Sequence, residues 1–279
     1  HALDWDDELL ELLNIPRRML PEVRWSSGEF GRVSTDIMTH RPRIMGVAGD
    51  QQASLFGHCC FEPGQAKNTY GTGCFMLMNT GDTVVESKNG LVATIGIAEQ
   101  GKVSYALEGS IFHAGSVIQW LRDKLQIIGS AKETEGIALS RPDNGGCYLV
   151  PAFSGLGAPW WDAGARGLIC GLTGASDRSS LVRAACESMA YQSYDVLRAM
   201  EADAGSRLDS LSVDGGASRN EFIMQFQADL LGIPVDQTES VETTALGAAY
   251  LAGLAVGYWE DHEELRQNHD YAKRFMPQM

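Results

Sequence analysis

The sequence predicts an α/β protein, a mixed sheet flanked by helices. Three observations carry that expectation. Apolar runs of strand length recur along the chain, bounded by Gly, Pro, Asn and Asp. Some return through a tight turn, as Ala66–Tyr70 and Cys74–Met78 do around Gly71-Thr72-Gly73. Others feed a helix, as Leu211–Val213 does before Phe222, Phe226 and Leu230 at helical spacing.

The totals narrow the function classes. The chain has 279 residues, 44% hydrophobic and 21% charged, which suffices for one large domain or two ordinary ones with a sizeable core. Lys and Arg number 22 against 36 Asp and Glu, a formal charge of −14, so no basic face for nucleic acid or an anionic membrane is expected. The six cysteines form no CxxC pair and no His lies at zinc spacing from them, so they read as free thiols of a reducing, cytoplasmic compartment. The longest uncharged stretch, Thr243–Trp259, is short for a membrane span and reads as a buried, closely packed helix.

In order, HALDWDDELLELLNIP opens on an amphipathic helix with Leu9, Leu10, Leu12 and Leu13 on one side, ended by Pro16. It has no initiator Met and is expected to lie inside a longer protein. Residues 26–43 read as polar and irregular. Ile44–Ala48 is a strand, and Asp50 sits on the turn into a helix starting near Gln51. Carboxyl ends of strands are where open α/β sheets place their chemistry, although Asp before a helix is more often a simple N-cap. Gly71-Thr72-Gly73 lets the backbone approach a phosphate closely, although such a turn is more often only a hairpin.

Leu91–Ala98 and Lys102–Leu107 form a second strand pair around Glu99-Gln100-Gly101. A helix follows from about His113, with Gly115 and Gln119 on one face; the glycine implies a close neighbour there, a helix or a ligand. Cys147–Phe153 and Leu168–Leu172 flank a Gly/Pro-rich loop carrying Trp160 and Trp161. A long helix runs from about Arg178 to Ala204, capped by Asp177, with Leu181, Ala185, Met189, Val196 and Met200 as its buried stripe. After Leu211–Val213 comes Asp214-Gly215-Gly216. Ser218 with Glu221 matches a capping box, and Gly232 with Pro234 stops the helix. A strand ending in a diglycine at a helix start suits a nucleotide, and equally an ordinary turn.

Four segments together resemble the glycerol-phosphorylating members of the FGGY carbohydrate-kinase family: GVAGDQQASLFG, NTYGTGCFMLMNTG, VPAFSGLGAPWWD and VDGGASRNEFIMQFQADLLG. The resemblance runs collinearly over essentially the whole chain. It implies an actin-like, ribonuclease-H-like fold of two domains with a cleft between them. Residues 1–57 would be the end of the first domain and residues 58–279 the second, nucleotide-binding one. It also implies ATP-dependent phosphorylation of glycerol to sn-glycerol 3-phosphate, with ATP/ADP and Mg²⁺, in a cytoplasmic homo-oligomer, dimer or tetramer. Asp50 matches the catalytic base, and would meet the metal through a Mg²⁺-bound water. Gln51 and Phe75 match glycerol contacts. Thr72, Gly115, Gln119, Gly216 and Asn220 match nucleotide-binding positions.

The match has departures. The family's N-terminal phosphate loop and its Arg-Glu and Tyr glycerol contacts correspond to nothing here, and Met279 stands short of the family's end. In the signature at Gly167–Glu187, Ser180 and Cys186 replace the usual residue types. The region that carries a glycine-rich fructose 1,6-bisphosphate loop in some members reads Val33–Thr39 without glycine, so that regulation is not expected. Three other readings stay open: a kinase of another polyol or sugar, an actin- or chaperone-like ATPase, and a nucleotide-binding fragment without turnover.

Overall fold

The computed structural model describes residues 3–99, 101–240 and 242–278. Gln100, at the turn expected between the second strand pair, and the terminal Met279 lie outside the described residues.

The chain begins with helix α1 (Asp7–Leu12), capped by the Asp6 carboxylate. Its apolar side is not a core face. Only Leu10 is buried, while Leu9, Leu12 and Leu13 are 55%, 74% and 63% exposed. Residues 26–43 are not wholly irregular. Strand β1 (Ser27–Arg32) pairs antiparallel with β2 (Arg43–Gly46). No alternation marks β1, because both its faces are only half covered. Helix α2 (Asp50–Gly57) follows.

The hairpin β3 (Ala66–Tyr70) and β4 (Cys74–Gly81) forms as expected, and β5 (Val92–Glu99) pairs with β6 (Lys102–Ile111). Helices α3 (Gly115–Asp123) and α4 (Glu133–Leu139) precede a small pair, β7 (Tyr148–Val150) and β8 (Leu168–Cys170). Helix α5 (Arg178–Ala204) has the expected bounds: Asp177 and Ser180 close a capping box, and Gly205 ends it in the left-handed conformation. Its stripe Ala185, Met189, Val196 and Met200 is buried, with Leu181 half-buried beside it.

Strand β9 (Leu211–Asp214) leads through a 3₁₀ turn, Gly216–Arg219, into α6 (Glu221–Leu231). The expected Ser218 capping box does not form. Asn220 caps α6 through the Ile223 amide, and the Ser218 hydroxyl donates to the Gly215 carbonyl instead. Nor is the expected stripe the deepest one: Phe222 is buried, but Phe226 and Leu230 are half-buried, and Ile223, Met224, Gln227, Ala228 and Leu231 complete the buried face. Gly232 stops α6. Strand β10 (Val235–Thr238), helices α7 (Thr243–Val256) and α8 (His262–Gln267), and strand β11 (Tyr271–Phe275) complete the chain.

A seven-stranded sheet in the order β11-β10-β9-β3-β4-β6-β5 organises these elements. It is mixed: β3–β9 and β9–β10 are parallel, and the other pairs antiparallel. One core packs its buried residues against those of α3, α4, α5 and α6. A second, smaller core joins α2, α7 and α8. Helix α7 is buried on one face rather than all round, with Val256 half exposed. That face meets α2 at glycine: a Cβ on Gly57 would strike Thr243, and one on Gly247 would strike Ala53.

No helix among the described residues is long and apolar enough to cross a membrane. All six cysteines are free, five of them buried.

Candidate active site

The carboxyl ends of β3 and β9 lie side by side, with Thr69 opposite Asp214 in parallel register. Beyond β3 comes the Gly71-Thr72-Gly73 tip, and beyond β9 the Gly215-Gly216 turn. Gly215 has φ +87°, and a Cβ there would stand 2.5 Å from the Tyr70 carbonyl, so only glycine brings the two turns together. Gly216 is exposed, with no heavy atom within 4 Å of where its Cβ would be. The first glycine serves the fold and the second leaves room.

The hairpin tip is tied to the start of α3. Ala114 and Ser116 N–H groups donate to the Thr72 carbonyl at 2.9 and 3.1 Å, and Gly115 N–H to the Gly71 carbonyl at 3.0 Å. Gly115 is therefore the first residue of α3, not an interior one. The close neighbour its sequence position implied is not a helix but the hairpin's own backbone: a Cβ on Gly115 would stand 2.5 Å from the Gly71 carbonyl oxygen. Thr72 is exposed at the tip, and Gln119 is exposed one turn along α3. Asn220 lies farther round, at the start of α6. Both ends of its side-chain amide are engaged: Oδ1 accepts from Ile223 N–H at 3.1 Å and Nδ2 donates to Thr134 Oγ1 at 3.0 Å.

A second group gathers at the start of α2. Asp50 is not the N-cap; Gly49 is, without a side-chain bond. Asp50 occupies the first helical position, exposed, and its carboxylate accepts from the Gln51 backbone N–H at 2.8 Å and from Gln51 Nε2 at 3.3 Å. A carboxylate in a first helical turn is favoured by the helix dipole. The Gln51 Oε1 accepts from Lys67 Nζ at 2.5 Å. Phe75 is the one residue of residues 74–79 that is not buried, and its carbonyl accepts from the same ammonium at 3.2 Å. Thus Asp50, Gln51 and Phe75 meet on one side of the sheet, around Lys67.

Lys67 was not among the expected site residues. It is fully buried, and its third partner is Thr69 Oγ1 at 2.9 Å. Burial pushes its ammonium down to about 8, against the opposing pull of Asp214, Glu108, Cys60 and Asp50. The buried hydroxyls continue the network. Thr69 Oγ1 lies 3.3 Å from Ser54 Oγ, which lies 3.0 Å from Thr243 Oγ1, and Thr243 donates to the Asp214 carboxylate. A polar chain thereby links the end of β9 to the Asp50 side. Burial would raise the Asp214 carboxyl, but the surrounding His58, Thr243 and Thr69 hold it below the usual carboxylate range. His58, 3.5 Å from Asp214, is lowered by its own burial against the opposing pull of Asp214. The signal for Lys67 was present in the sequence: a lysine inside a strand, between Ala66 and Asn68, two residues from Thr69 on the same strand face.

The two groups are separated along β3 by three residues, Lys67 to Tyr70, or about 10 Å. Among the described residues no three His, Cys, Asp or Glu side chains gather as a metal site.

Comparisons with known proteins agree with this architecture. The description "FGGY family of carbohydrate kinases, C-terminal domain" matches residues 66–256, from the start of β3 to the end of α7. Glycerol kinase of Clostridium botulinum (strain Hall) is 59% identical over 279 residues, all of this chain and 56% of its own length. That of Carboxydothermus hydrogenoformans is 61% identical over 278 residues, 99% of this chain and 56% of its own. The chain thus spans a little over half the length of the curated relatives it matches. A crystal structure of Plasmodium falciparum glycerol kinase with ADP superposes with a TM-score of 0.92 at 37% identity, covering 100% of this chain and 56% of that one. Xylulose kinase of Lactobacillus acidophilus, at 22% identity and a TM-score of 0.86 over 99% of this chain and 57% of that one, shares the fold. The mixed sheet, the hairpin and diglycine turns and the match over most of the sequence lead to one conclusion: the chain belongs to the FGGY family of carbohydrate kinases.

Proposed function

We propose that this chain carries the nucleotide-binding half and the catalytic carboxylate of an ATP-dependent glycerol kinase, which makes sn-glycerol 3-phosphate. The observation that carries the reading is the placement of Asp50, Gln51 and Phe75 on one face, about 10 Å along β3 from a glycine hairpin built for close backbone approach. Relatives named glycerol kinase, 59–61% identical along the whole chain, support the substrate.

Phosphoryl transfer asks the protein chiefly for positioning and charge stabilisation. Asp50 is exposed, and the two hydrogen bonds it accepts both come from Gln51, which leaves it lone pairs for a substrate hydroxyl. It would take the proton as the glycerol oxygen attacks the γ-phosphorus. Gln51 holds that carboxylate in orientation. Phe75 offers a half-covered apolar side chain to the carbon chain. Thr72 at the hairpin tip and the open Gly216 lie where phosphates and nucleoside would approach, with Gly115, Gln119 and Asn220 shaping the wall between. The residues present fit a nucleotide-borne Mg²⁺ rather than a resident one: among the described residues no three His, Cys, Asp or Glu groups gather, and Asp50 would reach the ion through water. When bound, Mg²⁺ neutralises phosphate charge. Residues 1–57 read as the end of the first domain and 58–279 as the second, in a homo-oligomer.

The test is a substrate panel on the product of the complete reading frame. Glycerol should support ADP release with kcat/KM at least tenfold above xylulose, gluconate and other polyols, an ordinary margin for a site that hydrogen-bonds its substrate. A sugar preferred to glycerol would replace this reading with the other kinase. ATP hydrolysis indifferent to any polyol would replace it with an ATPase.

A further inference from the structure

We propose that Lys67 is a positioning residue for the polyol: its ammonium fixes the Gln51 amide and the Phe75 backbone in the arrangement that receives glycerol beside Asp50. The proposal rests on the glycerol-phosphorylating reading above.

A lysine with no exposed surface is costly to bury, and a methionine would fill similar space without that cost. The charge persists because three acceptors surround it, at 2.5, 2.9 and 3.2 Å. Two of those acceptors belong to Gln51 and Phe75. The geometry at Gln51 has only one sense. Its oxygen must face the ammonium, because an NH₂ group there would oppose three donors. Its nitrogen then faces the Asp50 carboxylate, to which it donates. Lys67 thereby sets which amide atom lies beside Asp50 without touching the carboxylate itself.

The ammonium is held in its turn. Thr69, Ser54 and Thr243 relay hydrogen bonds to Asp214, the last residue of β9 before the diglycine turn. The charged or ionisable groups facing Lys67 are Asp214 from β9, Glu108 from β6, Cys74 from β4, His58 and Cys60 from the turn after α2, and Asp50 from α2. Burial raises the Glu108 carboxyl against the pull of Lys67.

The experiment compares Lys67→Met, Gln51→Met and the double variant in the product of the complete reading frame. Steady-state kinetics are measured with glycerol and ATP varied separately. Lys67→Met should lower kcat/KM for glycerol by about 10- to 100-fold, the worth of a hydrogen bond to a charged group, and leave KM for ATP within about twofold. The double variant should be no worse than Gln51→Met alone, since the lysine acts through that amide. Equal losses toward both substrates, additive losses in the double variant, or no loss would overturn the proposal. A second measurement on the unaltered protein covers a Lys67→Met variant that does not fold. The Gln51 side-chain amide resonances should shift together as pH passes about 8, where the ammonium releases its proton. Resonances constant across that range would equally overturn it. Failure of the parent protein to phosphorylate glycerol at all would remove the underlying reading, and the proposal with it. Normal parent turnover with an unaffected Lys67→Met would remove the proposal alone.

Discussion

The Gly115 N–H donates to the Gly71 carbonyl at 3.0 Å, and a Cβ on Gly115 would stand 2.5 Å from that same oxygen. The first turn of α3 and the tip of the β3–β4 hairpin are therefore one packed unit. Its glycines have different tasks, although the motif writes them symmetrically.

Neither Gly71 nor Gly73 has a positive φ, so the left-handed backbone that a glycine pair suggests is not their reason. A Cβ on Gly73 would strike the Ile111 carbonyl, whereas one on Gly71 meets nothing closer than Gly73 O at 3.7 Å. Gly73→Ala is expected to destabilise the fold by about 1–3 kcal/mol, the range for overpacking. Gly71→Ala should unfold at the parental urea midpoint yet bind ADP more weakly in calorimetry. Parental ADP affinity in a folded Gly71→Ala protein would take this tip out of the nucleotide site.

A change at Phe75 tests the proposed separation of substrate binding from nucleotide binding. Phe75→Ala should raise KM for glycerol about tenfold, the worth of one to two kcal/mol of apolar contact, while KM for ATP stays nearly constant. Kinetics with each substrate varied in turn check this. A parallel rise in both would mark Phe75 as core packing.

The Lys67 ammonium also marks stability. Its folded value of about 8 lies below the ordinary 10.5. Below pH 8 it is charged in both states and its burial costs stability. Between pH 8 and 10.5 the unfolded chain keeps a proton that the folded protein has released, so stability rises with pH. Lys67→Met lacks that rise. Urea unfolding should show the parent gaining on the variant across this window, by up to about 3 kcal/mol. A pH-independent difference would contradict the buried-ammonium account.

Residues 1–279 expressed alone should bind adenine nucleotide weakly and turn over glycerol negligibly. On the proposed reading Thr72, Gly115 and Gly216 would present one wall to the nucleotide, and Asp50, Thr72 and Gly216 lie exposed. Holding both reactants in near-attack geometry contributes about 7–11 kcal/mol to such reactions, and a single wall forfeits most of it. Glycerol 3-phosphate formation within tenfold of an ordinary kinase would contradict a site shared between two domains.

Much of this was legible in the residues. Asp177 marked the start of α5 by local chemistry, and Gly71-Thr72-Gly73 between two apolar runs announced its hairpin. What escaped depended on tertiary partners. Strand β1 carries no alternation because neither of its faces is fully buried, with α7 packed against it. The stripe of α1 looked like a core face, yet Leu9, Leu12 and Leu13 are exposed. Ser218 fitted a capping box, but the diglycine turn tightened into a 3₁₀ segment and moved the helix start to Asn220. Asp50 resembled a cap and stands one residue inside the helix. Lys67 is the largest omission, because a lysine's burial follows from acceptors distant in sequence: Gln51 sixteen residues away and Phe75 eight.

Asp50 carries the central claim, and replacing its carboxylate by an amide tests it most directly. Because Gly49 rather than Asp50 caps α2, Asp50→Asn removes the proposed base without removing a cap. The measurement is transfer of labelled γ-phosphate from ATP to glycerol by the parent and by Asp50→Asn, in the product of the complete reading frame, with ADP affinity taken alongside. The expected result is labelled sn-glycerol 3-phosphate from the parent and a kcat lower by about 10²- to 10⁴-fold in Asp50→Asn, at parental ADP affinity. Turnover by Asp50→Asn near the parental rate would contradict the account.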